Sequence, residues 1–99
     1  TRRVSFHSKV RLRFGFEEIF CETVDVSLNG ILVKATRILP QGSPVQVSIE
    51  LAQKMKPLVG AGSVVRILDG NQMGILLDRL SVGESERLQE FLLPMISRD

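Results

Sequence analysis

Cysteine and histidine each occur once in this chain of 99 residues, and tryptophan and tyrosine are absent. The lone Cys21 excludes an internal disulfide, and its strand-like surroundings suit a buried thiol better than a nucleophile or a metal ligand. His7 has no Cys/His cluster around it, so metal chemistry has no support. The five aromatic residues are all Phe, a poor stacking platform for single-stranded nucleic acid. No apolar run approaches the length of a membrane span, and no leader with a charged and then an apolar region is visible; both favour a cytoplasmic module without membrane insertion. Low-complexity runs, internal repeats and long linkers are missing too. The 4 prolines and 8 glycines are scattered as turn punctuation.

What is present suffices for one domain. A hydrophobic content of 43% over 99 residues implies a modest single core, too small for separate catalytic and regulatory units. Net charge is only +2, yet Arg2, Arg3, Lys9, Arg11 and Arg13 all precede the first acid, Glu17. This basic pole favours an anionic partner such as phosphate. Lys9, Arg11 and Arg13 alternate with Val10, Leu12 and Phe14 and read as the solvated face of a half-buried strand. Arg2 and Arg3 lie outside that alternation.

The alternation predicts a first strand over Lys9 to Phe14, ended by Gly15, and a second over Glu18 to Val26 after a short Gly15-Phe16-Glu17 connection. A third follows from Gly30 to Thr36, and Leu39-Pro40-Gln41-Gly42 suggests a type I turn. Val45, Val47, Ile49 and Leu51 mark the fourth strand. Ala52 to Leu58 reads as a loop, and Gly60 to Leu68 and Gln72 to Leu77 form the last two strands around an Asp69-Gly70 hairpin signal. The period then changes. Ser81-Val82-Gly83-Glu84 matches a capping box, and Leu88, Phe91, Leu92 and Met95 recur on one helical face, with Pro94 expected to end or bend the helix near Leu93.

Between the second and third strands lies Asp25-Val26-Ser27-Leu28-Asn29-Gly30. An Asp, a Ser hydroxyl and a Gly at these offsets suit a tight turn where side chains and backbone N–H groups converge on one ligand. The same residues also serve as plain turn caps, with Gly30 or Asn29 supplying a left-handed conformation. Arg3 and Arg2 supply the planar forks that bind phosphate or the O6/N7 edge of guanine and stack on a base.

Arg3-Val4-Ser5-Phe6, the alternating Lys9 to Phe14, and Val24 to Val33 with its D-x-S-x-x-G turn resemble the PilZ domain family of bacterial cyclic di-GMP receptors, over nearly the whole chain. The resemblance implies a mainly β fold, a six-stranded antiparallel barrel with one C-terminal α-helix. It implies residues 1–6 as an N-terminal arm, 7–79 as the barrel and 81–96 as the helix. The family's second ligand motif is R-x-x-x-R. Arg3 fits its second arginine, which puts the first two residues ahead of Thr1. No R-x-x-x-R exists within these 99 residues, so either the sequence is cut inside the motif or the motif is degenerate. The resemblance implies cyclic di-GMP as ligand, with no cofactor and no metal, and assigns contacts to Arg3, Asp25, Ser27 and Gly30, with Arg2 as an auxiliary.

Three functions of different class follow. The first is a non-enzymatic receptor whose arm is ordered onto the barrel by ligand, signalling to a protein partner or an attached domain, as a monomer or dimer. The second is a PilZ-like interaction module that binds no nucleotide. The third, an oligonucleotide-binding barrel, ranks last for want of stacking aromatics, and no DNA partner is expected. An enzyme is disfavoured: no Ser/His/Asp set or phosphate-binding glycine loop is present, and Glu17 and Glu18, adjacent in a strand, point to opposite faces.

Overall fold

The computed structural model describes residues 3–96. Its elements are β1 (Val4–Ser5), β2 (Lys9–Phe14), β3 (Glu17–Ser27), β4 (Gly30–Lys34), β5 (Pro44–Ile49), β6 (Leu58–Leu68), β7 (Gln72–Arg79) and α1 (Val82–Ile96). Strands β3, β2, β5, β6, β7 and β4 pair in that order, and β3 pairs with β4 to close the ring. The six-stranded antiparallel barrel with a C-terminal helix expected from the sequence is therefore present. Closure leaves the barrel no free edge of its own.

Alternation explains most of it. On β2 and β5, Val10, Leu12, Val45, Val47 and Ile49 are each at most 3% exposed, while Lys9, Arg11 and Arg13 face solvent. The β2–β3 hairpin is tighter than the sequence suggests, because Phe14 pairs with Glu17 and only Gly15 and Phe16 turn. Gly15 has φ +61°, the conformation that a two-residue hairpin with glycine first requires. Glu17 thereby joins the strand and receives two hydrogen bonds from Arg37.

β1 is a seventh strand, in a segment read from the sequence as an arm. Val4 pairs with Val26 and Ser5 with Asp25, along the edge of β3 whose other end, Glu17 to Glu22, is taken by β2. The two strands lie end to end, and the gap between them is bridged by Thr23. Its hydroxyl donates to the Phe6 carbonyl at 2.5 Å and accepts from the Ser8 N–H at 2.8 Å.

Two register shifts matter for function. Thr23 pairs with Val33 and Asp25 with Leu32, so Val24 is an extra residue on β3. Val64 pairs with Ile75 and Arg66 with Gly74, so Val65 is an extra residue on β6. Such a bulge reverses the in/out phase of everything beyond it. Ile19, Cys21 and Thr23 face inward; without Val24 the next in step, Asp25, would face inward as well. With it, Val26 enters the core at 1% exposure and Asp25 turns out.

One local expectation is corrected and another is narrowed. The turn before β5 begins at Pro40, whose carbonyl accepts from Ser43 N–H at 3.1 Å. Gly42 then holds the third position with φ +93°, which a type II turn demands and a type I turn does not. The helix runs to Ile96, the bound the resemblance implies, so of the two outcomes expected of Pro94, an end or a bend, the end at Leu93 does not occur. Proline removes the N–H that would bond to Glu90, one intrahelical bond in the last turn, and the helix continues past it to Ile96.

The helix is capped as expected at its start, Ser81 Oγ accepting from the Glu84 N–H at 3.1 Å. The other half of the capping box is redirected. Glu84 accepts from the Val59 N–H at 2.7 Å and from Arg87 at 2.9 Å, tying α1 to β6, and these bonds hold its carboxyl below the usual range. Leu88 and Leu92 are fully buried, so the apolar stripe of the helix packs on the barrel.

Candidate ligand-binding site

The arm meets the D-x-S-x-x-G turn at one ion pair. Arg3 Nε donates to Asp25 Oδ1 at 2.6 Å, with the two side chains 41% and 23% exposed. Three features place Arg3 there. β1 fixes the backbone after it, Thr23 fixes Phe6 and Ser8, and the Phe6 ring packs edge-on against Phe91 of the helix with centroids 5.0 Å apart. The Val24 bulge supplies Asp25 from the other side. An exposed pair of this kind is worth only about 0.2–1 kcal/mol, so its importance is positional. Arg3 spends Nε on Asp25, and among the described residues its two Nη groups make no hydrogen bond.

The remaining motif residues serve the turn itself. Ser27 is 1% exposed, and its hydroxyl lies 3.1 Å from Asn29 Oδ1 and 3.2 Å from the Gly30 carbonyl. Ser27 pairs with Gly30, so Leu28 and Asn29 form a two-residue turn. Neither residue has a positive φ, which corrects the expectation of a left-handed Asn29. Such an unprimed turn matches strand twist poorly, and the Ser27 hydroxyl compensates by bonding across it. Gly30 also lacks a positive φ. Its requirement is steric: a Cβ there would lie 2.9 Å from the Ile75 carbonyl of β7, so glycine permits close strand packing rather than the turn. Arg2 lies outside the described residues.

Thr23 and Phe91 were not singled out from the sequence as parts of the site, although they hold the arm in place. Thr23 carries a weak signal, being a hydroxyl at an inward position. Phe91 carries none, since its helical spacing says only that it is apolar.

A second concavity, about 770 Å³ in volume, lies on the outer face across β2, β3 and β5, walled by Lys9, Arg11, Phe20, Glu22, Lys34 and Glu50. Its charges interleave, Lys9 beside Glu22 and Glu22 beside Lys34. It therefore lacks the one-signed field that concentrates an anion, and neither Arg3 nor Asp25 forms part of it. Cys21 borders this cleft with its thiol buried, which pushes its pKa up to about 12.

Comparison with known proteins follows the same lines. The family model of the PilZ domain matches residues 1–93. Among solved structures, the inhibitor of motility MotI/DgrA of Bacillus subtilis superposes with a TM-score of 0.80 at 18% identity, over 97% of this chain and 50% of that one. This chain thus spans about half the length of that relative. The PilZ domain of CeSA from a cellulose-synthesizing bacterium gives 0.73 at 14% identity, over 97% and 99% of the two chains. The PilZ domain of Escherichia coli YcgR, solved with c-di-GMP, gives 0.76 at 13% identity, over 98% and 90%. No curated protein matches the sequence.

Proposed function

The chain belongs to the PilZ domain family, and on that premise we propose that it is a non-enzymatic receptor module for cyclic di-GMP. The observation that carries this reading is the 2.6 Å contact between Arg3 and Asp25, which joins the arm to the turn at the point where a ligand would bridge them. In this reading the Nη nitrogens of Arg3 take a phosphate or the O6/N7 edge of one guanine. Asp25 Oδ2 accepts from a guanine N–H, and Arg2 is an auxiliary. Ser27, sealed beneath the turn, shapes the site, and a ligand would reach its hydroxyl only by displacing Leu28 and Asn29. Gly30 contributes close packing of β4 on β7. The c-di-GMP held by the YcgR domain supports the ligand class.

Signalling in this proposal runs through the arm. Val4 to Ser8 are already tied to β3 and α1, so in this proposal the ligand acts on the arm through Arg3. The changed surface then acts on a protein partner or an attached domain. A reading as an interaction module without nucleotide is favoured by one feature, the exposed Phe16 and Phe20, 102% and 71% accessible on the opposite hairpin.

Calorimetric titration separates the two. The protein with its native residues ahead of Thr1 should bind cyclic di-GMP saturably and in preference to GMP and GTP. Arg3→Ala should weaken binding by about 1.5–3 kcal/mol, the cost of a lost charge-assisted contact, while Arg11→Ala on the solvated strand face should change it little. Absence of saturable binding at high micromolar ligand sinks the receptor reading, and equal losses from the two substitutions would indicate diffuse electrostatics.

A further inference from the structure

The charges on the outer face of the β2–β3 hairpin are sorted by strand. Lys9, Arg11 and Arg13 stand on β2, and Glu18, Phe20 and Glu22 on β3, all of them exposed. Register sets them in three rows, Arg13 opposite Glu18, Arg11 opposite Phe20 and Lys9 opposite Glu22. The last row continues on both sides. Glu22 lies opposite Lys34 of β4, and beyond Lys9 comes Glu50, whose N–H donates to the Lys9 carbonyl at 3.1 Å. The signs therefore run plus, minus, plus, minus across the sheet. Opposite charges on neighbouring strands ordinarily close on one another, yet none of these side chains makes a hydrogen bond or ion pair among the described residues. Between the two acids of β3, Phe20 is 71% exposed, a large apolar side chain in the middle of a charged face.

A face sorted in this way is its own complement. Consider a second copy laid face to face with the first, related by a two-fold axis that lies in the interface and runs midway between β2 and β3. Each β2 residue then meets, in the second copy, the residue that matches its own β3 neighbour. Lys9 meets Glu22 of the second copy, Arg13 meets its Glu18, and Lys34 meets its Glu50. Arg11 meets Phe20 of the second copy, a cation against an aromatic ring. That ring arrives in the cleft of about 770 Å³ that Lys9, Arg11 and Ser48 help to line. Stacked sheets keep their strand directions within about 30° of each other, so rows this close to the axis stay in register. The Gly15-Phe16 turn, with Phe16 102% exposed, lies on the axis, which brings the two turns together.

We propose that this face joins two copies of the chain in a symmetric dimer, the β2 cations of each copy resting on the β3 acids of the other and each Phe20 seated in the other's cleft. A simple anion gains little from interleaved charges, whereas the same order of signs read in reverse pairs every one of them. Arg3 and Asp25 lie outside the cleft, and the dimer does not depend on the receptor reading. Only a hairpin and its flanks take part, fewer than the roughly 20–30 residues a side of a standard interface. Association is therefore concentration-dependent, and its ion pairs make it sensitive to salt.

Sedimentation equilibrium of the full-length protein at low ionic strength, up to millimolar concentration, tests the pairing, with melting curves to verify folding. The wild type should dimerise, and Phe20→Ser should weaken dimerisation tenfold or more. A variant carrying Glu18→Lys and Glu22→Lys presents cations on both strands, and one carrying Lys9→Glu and Arg13→Glu presents acids at both ends of both strands. Each alone should be monomeric, while their equimolar mixture should form a heterodimer tighter than the wild-type dimer. A wild type that stays monomeric overturns the proposal and leaves the face to an unlike protein. So does a mixture that stays monomeric, or a dimer that Phe20→Ser weakens less than twofold. A mixture that associates equally well when both members carry Phe20→Ser would show attraction of net charge alone, and would overturn it too.

Discussion

Replacing Thr23 by valine tests whether the arm is held by a single hydroxyl. Valine keeps the shape of threonine, so packing at this position, 1% exposed, is preserved. The hydroxyl's bonds to the Phe6 carbonyl and the Ser8 N–H are lost, leaving both groups without partners. A typical net hydrogen bond contributes about 0.5–1.5 kcal/mol, and an unsatisfied buried group costs about 1–3 kcal/mol. The expected loss is therefore about 2–3 kcal/mol if the arm stays docked. It is capped by the local stability of the arm, because detachment lets water satisfy both groups. Two measurements distinguish these cases. Urea unfolding reads the global loss as a shift in midpoint at constant slope, and amide exchange at Ser8 reads local opening. A global loss of 2–3 kcal/mol corresponds to a melting-temperature drop of roughly 8–24 °C for a domain of this size. Arm detachment gives a smaller drop, a faster Ser8 amide and weaker cyclic di-GMP binding, since Arg3 loses its anchor. An unchanged midpoint together with an unchanged Ser8 exchange rate would refute the bridge.

Three further outcomes are expected. Glu84, whose pKa is lowered first by its bond from Val59 and then by Arg87, contributes stability that is present above its unfolded value near 4.5 and lost as pH falls through the lower folded value; Glu84→Gln should lower the denaturant midpoint at pH 7, and the gap to wild type should close on acidification. Cys21, its pKa pushed up to about 12 by burial, should resist alkylation at pH 7 in the folded protein and react at once in urea; rapid native labelling would contradict its burial. Gly62→Ala would put a Cβ 1.7 Å from the Leu76 carbonyl, so it should cost several kcal/mol or prevent folding, and a soluble variant with wild-type melting temperature would show that β6 and β7 pack less closely than described.

How much of the site was legible is clearest at the bulges. Val24 and Val65 are β-branched and apolar, ideal strand residues, so local propensity registers nothing unusual at either. A slip is nevertheless visible in β3, where inward positions pass from Ile19 and Cys21 to Val26, a change from odd to even numbers. Arg3 and Asp25 could be paired by resemblance to a family motif. The outward direction of Arg66 could not be read, because the side of the sheet it faces depends on one extra residue. Gly30 shows the reverse: its place in the motif was plain, but its reason, a strand carbonyl 2.9 Å from the missing Cβ, belongs to the partner strand.

By itself the sequence determined the six barrel strands and the helix, because alternation and helical period are local properties that burial merely rewards; the closure of the strands into a barrel came from the resemblance to the PilZ family, and β1 was read only as an arm. Turn chemistry was local only in part: Gly42 changed the type of the proline turn, Glu17 joined its strand, and Asn29 kept a negative φ. The tertiary structure decided which charges share a face. That depends on register between strands distant in the chain, and in a strand a shift of one residue exchanges inside for outside. It also decided that Arg3 reaches Asp25, since the arm is held by Thr23 and Phe91, side chains whose partners are chosen by the packing of the barrel and the helix against it.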